Sequence, residues 1–124
     1  MKKGFEVRVD EERSVCFLKV WGLWSAEDGA SYLDHFRATV RPLVGKKWFV
    51  VADISEFPAQ RDEVNASVQG TMAHAVETGM VRAANVVSSA MTRLQIKRLS
   101  EETGLPEFSF FTSEDDAVAW LLGS

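Results

Sequence analysis

The apolar run Trp48-Phe49-Val50-Val51-Ala52, ended by Asp53-Ile54-Ser55 and the turn residues Phe57-Pro58, constrains this chain more than any other segment. A run without polar alternation predicts a strand buried on both faces, which belongs in the middle of a sheet covered by helices. The polar residues that end it mark a carboxyl edge, where open α/β sheets place their working loops. No linker, repeat or low-complexity tract interrupts the 124 residues. The sequence therefore reads as one domain over 1–124, able to bury roughly two thirds of the surface its unfolded chain exposes.

Elements on either side follow from periodicity and punctuation. Phe5, Val7 and Val9 alternate with Glu6, Arg8 and Asp10, the period of a strand with one solvated face, and a short charged turn leads to a second strand from Val15 to Trp21. That pair predicts an antiparallel hairpin. Ser25 is placed to cap a helix with Glu27 and Asp28 in its first turn and Leu33, Phe36, Val40 and Leu43 along its apolar stripe, closed by Pro42 and Gly45. Asp62 is read as the cap of a second helix carrying Val64, Val68, Met72, Ala75 and Val76, with Gly70 weakening its middle and Gly79 near its end. Val81 to Val87 predicts another buried strand, and Ser88 or Ser89 caps a helix through Leu94, Ile96 and Leu99 to Gly104. Phe108 to Phe111 is a final short strand, and Ser113 caps a last helix with Ala117, Trp120 and Leu121 turned inward. The order is β-β-α-β-α-β-α-β-α. Right-handed crossovers make the later strands parallel and bring Asp53, Ser55, Ser88, Ser89, Thr112 and Ser113 to one rim.

Composition excludes several classes of function. A net charge of −4, from 14 basic and 18 acidic residues, disfavours a general nucleic-acid or anionic-membrane surface. Lys2 and Lys3 are followed by Gly4-Phe5-Glu6 rather than an apolar stretch, so neither a signal segment nor membrane insertion is expected and the cytoplasm is the expected compartment. Cys16, the only cysteine, lies between Val15 and Phe17 and reads as a buried thiol. His35 and His74 stand on different helices without ligands at metal spacing, so no metal and no cofactor is expected.

This order of elements, with Asp53-Ile54-Ser55 closing the buried strand, resembles the STAS domain family and its SpoIIAA-like branch. Met91-Thr92-Arg93-Leu94-Gln95 with Leu99, and Phe111-Thr112-Ser113-Glu114-Asp115-Asp116-Ala117 with Trp120-Leu121, carry the closer likeness. The resemblance implies an α/β, SpoIIAA-like mixed sheet with a leading antiparallel hairpin, then parallel strands with helices packed on them. It also implies a regulatory, protein-binding role. In the family's sporulation regulators a serine at the start of the helix after the aspartate-bearing strand is phosphorylated, within an Asp-Ser-Ser-Gly signature. Here the corresponding stretch is Gln60-Arg61-Asp62-Glu63-Val64, which has no hydroxyl and already carries two fixed negative charges. That departure argues against the usual phosphoswitch and leaves Ser55 and Ser67 as the nearest alternatives.

The candidate binding residues are Asp53, Ser55, Glu56, Phe57, Arg61, Asp62, Ser88 and Ser89. Asp53 either presents charge in a crevice or caps its own turn. Phe57 is either an exposed anchor for a partner or a staple between the following helix and the core. Ser88 and Ser89 either cap a helix or help its free N–H groups hold an anion. Trp24, just before the Ser25 cap, is either core or an exposed anchor. Arg82, Arg93, Lys97 and Arg98 form a basic cluster, offset by Glu101 and Glu102 at helical spacing. No nucleophile–base pair or paired-carboxylate motif assembles locally, so the expected role is a non-catalytic interaction module whose partner is another protein or a second copy of this chain. The alternative is a small apolar-ligand or lipid-binding domain, since related sheets occur in the CRAL-TRIO family and Met72, Met80 and Met91 can line an adaptable cavity.

Overall fold

A computed structural model describes residues 2–123. The elements are β1 (Gly4–Asp10), β2 (Val15–Trp21), α1 (Ala26–Thr39), a 3-10 turn (Arg41–Leu43), β3 (Trp48–Glu56), α2 (Asp62–Glu77), β4 (Met80–Val86), α3 (Ala90–Thr103), β5 (Phe108–Phe111) and α4 (Glu114–Leu122). Spatial order in the sheet equals chain order, β1-β2-β3-β4-β5. β1 pairs antiparallel with β2, and every later pair is parallel. β3 is thus central, as its apolar run predicts.

A sheet that grows in one direction by right-handed crossovers must put each crossover helix on the same face. Alternation along the strands agrees. Cys16 and Val20 of β2, Trp48, Val50, Ala52 and Ile54 of β3, and Ala83 of β4 join one core with Tyr32, Phe36, Val64, Val68, Ala75, Ile96 and Leu99 from α1, α2 and α3. The opposite face has α4 alone. Val15, Phe17, Val51, Ala84 and Val86 pack there with Ala117 and Leu121. Because one nine-residue helix cannot cover five strands, Phe49, Asp53 and Ser55 are only half-buried, and β3 is not dry on both faces as its composition suggested.

Local chemistry sets the helix starts. Ser25 Oγ accepts from Asp28 N (3.2 Å) while Asp28 Oδ2 accepts from Ser25 N (2.8 Å), a reciprocal cap that satisfies two otherwise orphaned donors. Ser89 and Ser113 cap α3 and α4 in the same position. α2 differs from expectation: Arg61 occupies the cap position without a side-chain bond, and Asp62 is the first helical residue, where its charge complements the helix dipole. Pro42 stands in the separate 3-10 turn with Leu43, which remains fully buried. Gly70 lets α1 and α2 approach closely, since a Cβ there would stand 3.1 Å from the Leu33 side chain.

Lys3 Nζ donates to Asp28 Oδ2 at 2.7 Å, and this bond together with the Ser25 N–H holds the Asp28 carboxyl at about 2, below its ordinary 3.8. A lowered folded-state value means the unfolded chain takes up the proton first, so the stabilisation is complete above the ordinary value and fades as pH falls toward the lowered one. Asp28→Asn is expected to lower the thermal midpoint at neutral pH. The gap from the parent should close as pH drops from about 4 to about 2, read by circular-dichroism melts.

Candidate functional site

At the carboxyl ends of the strands the backbone is tied together by short polar bonds. Asp53 Oδ1 accepts from both the N–H (3.0 Å) and the hydroxyl (2.6 Å) of Ser55, so the carboxylate closes its own turn. Ser88 Oγ donates to the Ser55 carbonyl at 2.5 Å, joining the loop after β4 to the end of β3. Ser89 Oγ accepts from Thr92 N (3.3 Å) and caps α3. Glu56 pairs with Lys19 of β2 (3.1 Å), and that hydrogen bond, with the added attraction of Glu56, Asp53 and Glu6, raises the Lys19 ammonium above its ordinary range. Arg61 and Asp62 are exposed at the start of α2, with Arg61 loosely paired to Glu63 at 3.8 Å. Asp53, Ser55, Ser88 and Ser89 therefore meet on one rim. Among the described residues no cluster of three or more His, Cys, Asp or Glu side chains suits a metal ion.

Phe57 is not an exposed anchor. It is 3% exposed, and its ring meets Trp24 edge to face with centroids 5.0 Å apart. Trp24 is buried as well, against Tyr32 (5.1 Å) and Phe5 (5.9 Å). Burying two large rings against each other removes more apolar area from water than either gains on the surface. Phe57 is therefore core rather than an exposed anchor, held against the β2–α1 loop by Trp24, which is core as well.

The residue that fixes this loop escaped the sequence reading. Gln60 is 7% exposed, and both ends of its amide are used. Oε1 accepts from Trp24 N (2.9 Å), while Nε2 donates to the carbonyls of Gly22 (2.9 Å) and Pro58 (2.8 Å). Its backbone N–H donates to Gln95 Oε1 (3.0 Å), and its carbonyl accepts from Gln95 Nε2 (3.1 Å) and Asn65 Nδ2 (3.2 Å). Thr92 Oγ1 adds a bond to the Phe57 carbonyl (2.6 Å). The β2–α1 loop, the β3–α2 loop and the first turns of α3 are one hydrogen-bonded unit. No periodicity marks a glutamine for such a role.

On these same segments the large apolar side chains face solvent: Leu23 is 51%, Met91 67% and Leu94 63% exposed. Leu23 lies between the two residues that bond Gln60, while Met91 and Leu94 flank Gln95. Leu94 is not on the buried stripe of α3, nor does Met91 line a cavity. The buried side chains of α3 are Thr92, Ile96, Leu99 and Ser100. At about 100° per residue Leu94 stands about 200° around the helix from Ile96, a phase that was readable from the sequence. Arg93 and Lys97 are exposed beside them, and Arg98 is engaged by Glu102 at 3.2 Å.

A five-stranded sheet led by one antiparallel strand, with three helices on one face and a terminal helix on the other, is the SpoIIAA-like fold of STAS domains. Two solved structures share it over nearly their whole lengths. One is an uncharacterised DUF3478-family protein with a SpoIIAA-like fold from Shewanella loihica PV-4, at a TM-score of 0.71 and 15% identity, covering 98% of this chain and 96% of that one. The other is an anti-sigma factor antagonist from Mycobacterium paratuberculosis, at a TM-score of 0.57 and 15% identity, covering 94% and 93%. No family model matches the sequence, and no curated protein does.

Phe57→Ala is expected to lower the free energy of unfolding by ~3 kcal/mol or more, since it leaves a ring-sized cavity against Trp24. Ser88→Ala, which removes one exposed hydroxyl, should cost less than ~1 kcal/mol. Urea denaturation of the two variants measures both.

Proposed function

We propose that this chain is a non-catalytic STAS-like regulatory module that docks a protein partner on the rim formed by the β2–α1 loop, the β3–α2 loop and the first turns of α3. The observation that carries the reading is the exposure of Leu23 on the β2–α1 loop and of Met91 and Leu94 on α3, two of the three segments that Gln60 and Gln95 lock together. A backbone already held rigid loses little conformational entropy when the apolar side chains it presents are buried, which favours docking. Arg93 and Lys97 flank them and suit a partner segment that is both apolar and acidic. The likeness to an anti-sigma factor antagonist supports the same class of role.

Within this reading the module binds constitutively rather than through a phosphoserine at the start of α2. Residues 60–64 offer no hydroxyl, and Asp62 and Glu63 already place negative charge there. The alternatives are poorly placed for modification. Ser55 is bonded to Asp53, and Ser67 lies in the α1–α2 contact, where its Oγ would stand 2.8 Å from a Cβ added at Gly29.

A photo-crosslinking residue at position 91 or 94 is expected to capture a defined protein in the cells of origin. The same residue at Val44, which is 46% exposed just before β3 at the opposite end of the sheet, should not. Met91→Glu with Leu94→Glu should abolish complex formation with that protein while leaving the thermal midpoint unchanged. Equal capture at 44 and 91, or no capture at 91 and 94, would reject the rim as the docking surface.

A further inference from the structure

The packing between the sheet and the α1–α2–α3 layer leaves a cavity of about 70 Å³. Its walls are mostly aliphatic, with Val50, Ala83 and Ile96 among them. Met72 and Met80 line it too, and Met72, Leu18 and Leu105 are half-buried where it approaches solvent. No charged side chain lines it. Its polar walls are Tyr32, Thr71, Asn85 and Ser100.

Two of these four already donate to backbone carbonyls. Thr71 Oγ1 donates to that of Val68 (2.6 Å) and Asn85 Nδ2 to that of Ser109 (3.3 Å). Ser100 is different. It is 0% exposed, and its Oγ has no hydrogen-bond partner. A helical hydroxyl ordinarily returns to the carbonyl four residues earlier, as Thr103 does to Leu99 at 2.7 Å on the same helix. A buried hydroxyl without a partner is rare in folded proteins and calls for an occupant that completes it.

The shape and chemistry of the cavity restrict that occupant. At roughly 10–15 Å³ per water-sized sphere, the space admits a molecule of about five to seven non-hydrogen atoms. Four polar side chains, two of them already donating to backbone carbonyls, cannot give a file of waters the two to four polar neighbours that each needs. A charged group would be stripped of water without a counter-charge. We propose that the cavity is a binding site for a small, neutral amphipathic molecule with an aliphatic body and a single hydroxyl or carbonyl oxygen, which hydrogen-bonds Ser100 Oγ. The two methionines adapt the walls to its shape. The site lies beneath the rim, sharing with it the buried ring of Phe57, and stands whether or not a protein docks there.

The test is a titration of the full chain with 1-butanol, followed by methyl and amide NMR shifts, on the parent and on Ser100→Ala. Saturable shifts centred on Ala83, Ile96 and Leu105 are expected, with the affinity of Ser100→Ala weakened about 2–10-fold, the scale of one neutral hydrogen bond. The variant should fold with a thermal midpoint equal to or above the parent's, because it removes an unpaired hydroxyl. Absence of saturable shifts at the cavity, or equal affinity in the two proteins, would overturn the proposal. Strong destabilisation by Ser100→Ala would do so too, since it would mean the hydroxyl already has a structural partner.

Discussion

The hand of the crossovers governs this molecule. With strands laid down in chain order and each connection right-handed, α1, α2 and α3 have only one face of the sheet to occupy. One side of β3 therefore lies beneath a thick layer built from aromatic and branched side chains, and the other beneath a single short helix. The same geometry brings the loops after β2, β3 and β4 to one end. The interior cavity, enclosed between one face of the sheet and α1, α2 and α3, depends on that shared side.

Within that frame the rim owes its form to one buried amide. Around Gln60 five backbone groups that loops would otherwise leave to solvent are satisfied: the Trp24 N–H and the carbonyls of Gly22 and Pro58 by its side chain, and its own N–H and carbonyl by Gln95. A buried polar network of this kind stabilises only when every member is satisfied, and here the reciprocal amide of Gln95 completes it. The result is a connection with the order of a secondary-structure element. Leu23, Met91 and Leu94 are consequently presented from fixed backbone, as side chains on a helix or strand would be.

What could be read in the sequence was what depends on near neighbours. The limits of β2, the central place of the Trp48 strand, the serine caps at 25 and 113, and a third cap at either 88 or 89, which the structure places at 89, all follow from patterns a few residues long. The inward turn of Phe57 does not. It depends on Trp24, which is remote in the chain and meets it only after β2 and β3 have paired. Gln60 was unreadable for the same reason, since its partners come from three separate segments. Leu94 is a different case: its phase relative to Ile96 was visible, and grouping apolar residues without regard to angle hid it.

The solitary position of α4 has a consequence for how the protein breathes. It touches the sheet through Ala117, Leu121 and Trp120, and the Arg82 guanidinium sits 4.2 Å from the Trp120 ring while donating to the Leu121 carbonyl at 3.1 Å. None of its backbone groups belongs to the ladder of the sheet, so it can peel away with every strand pairing intact. α4 is thus expected to open as a sub-global unit, its amides exchanging with solvent before those of β3. Each such opening bares Val51, Ala84 and Val86, a strip of the central sheet that is otherwise dry.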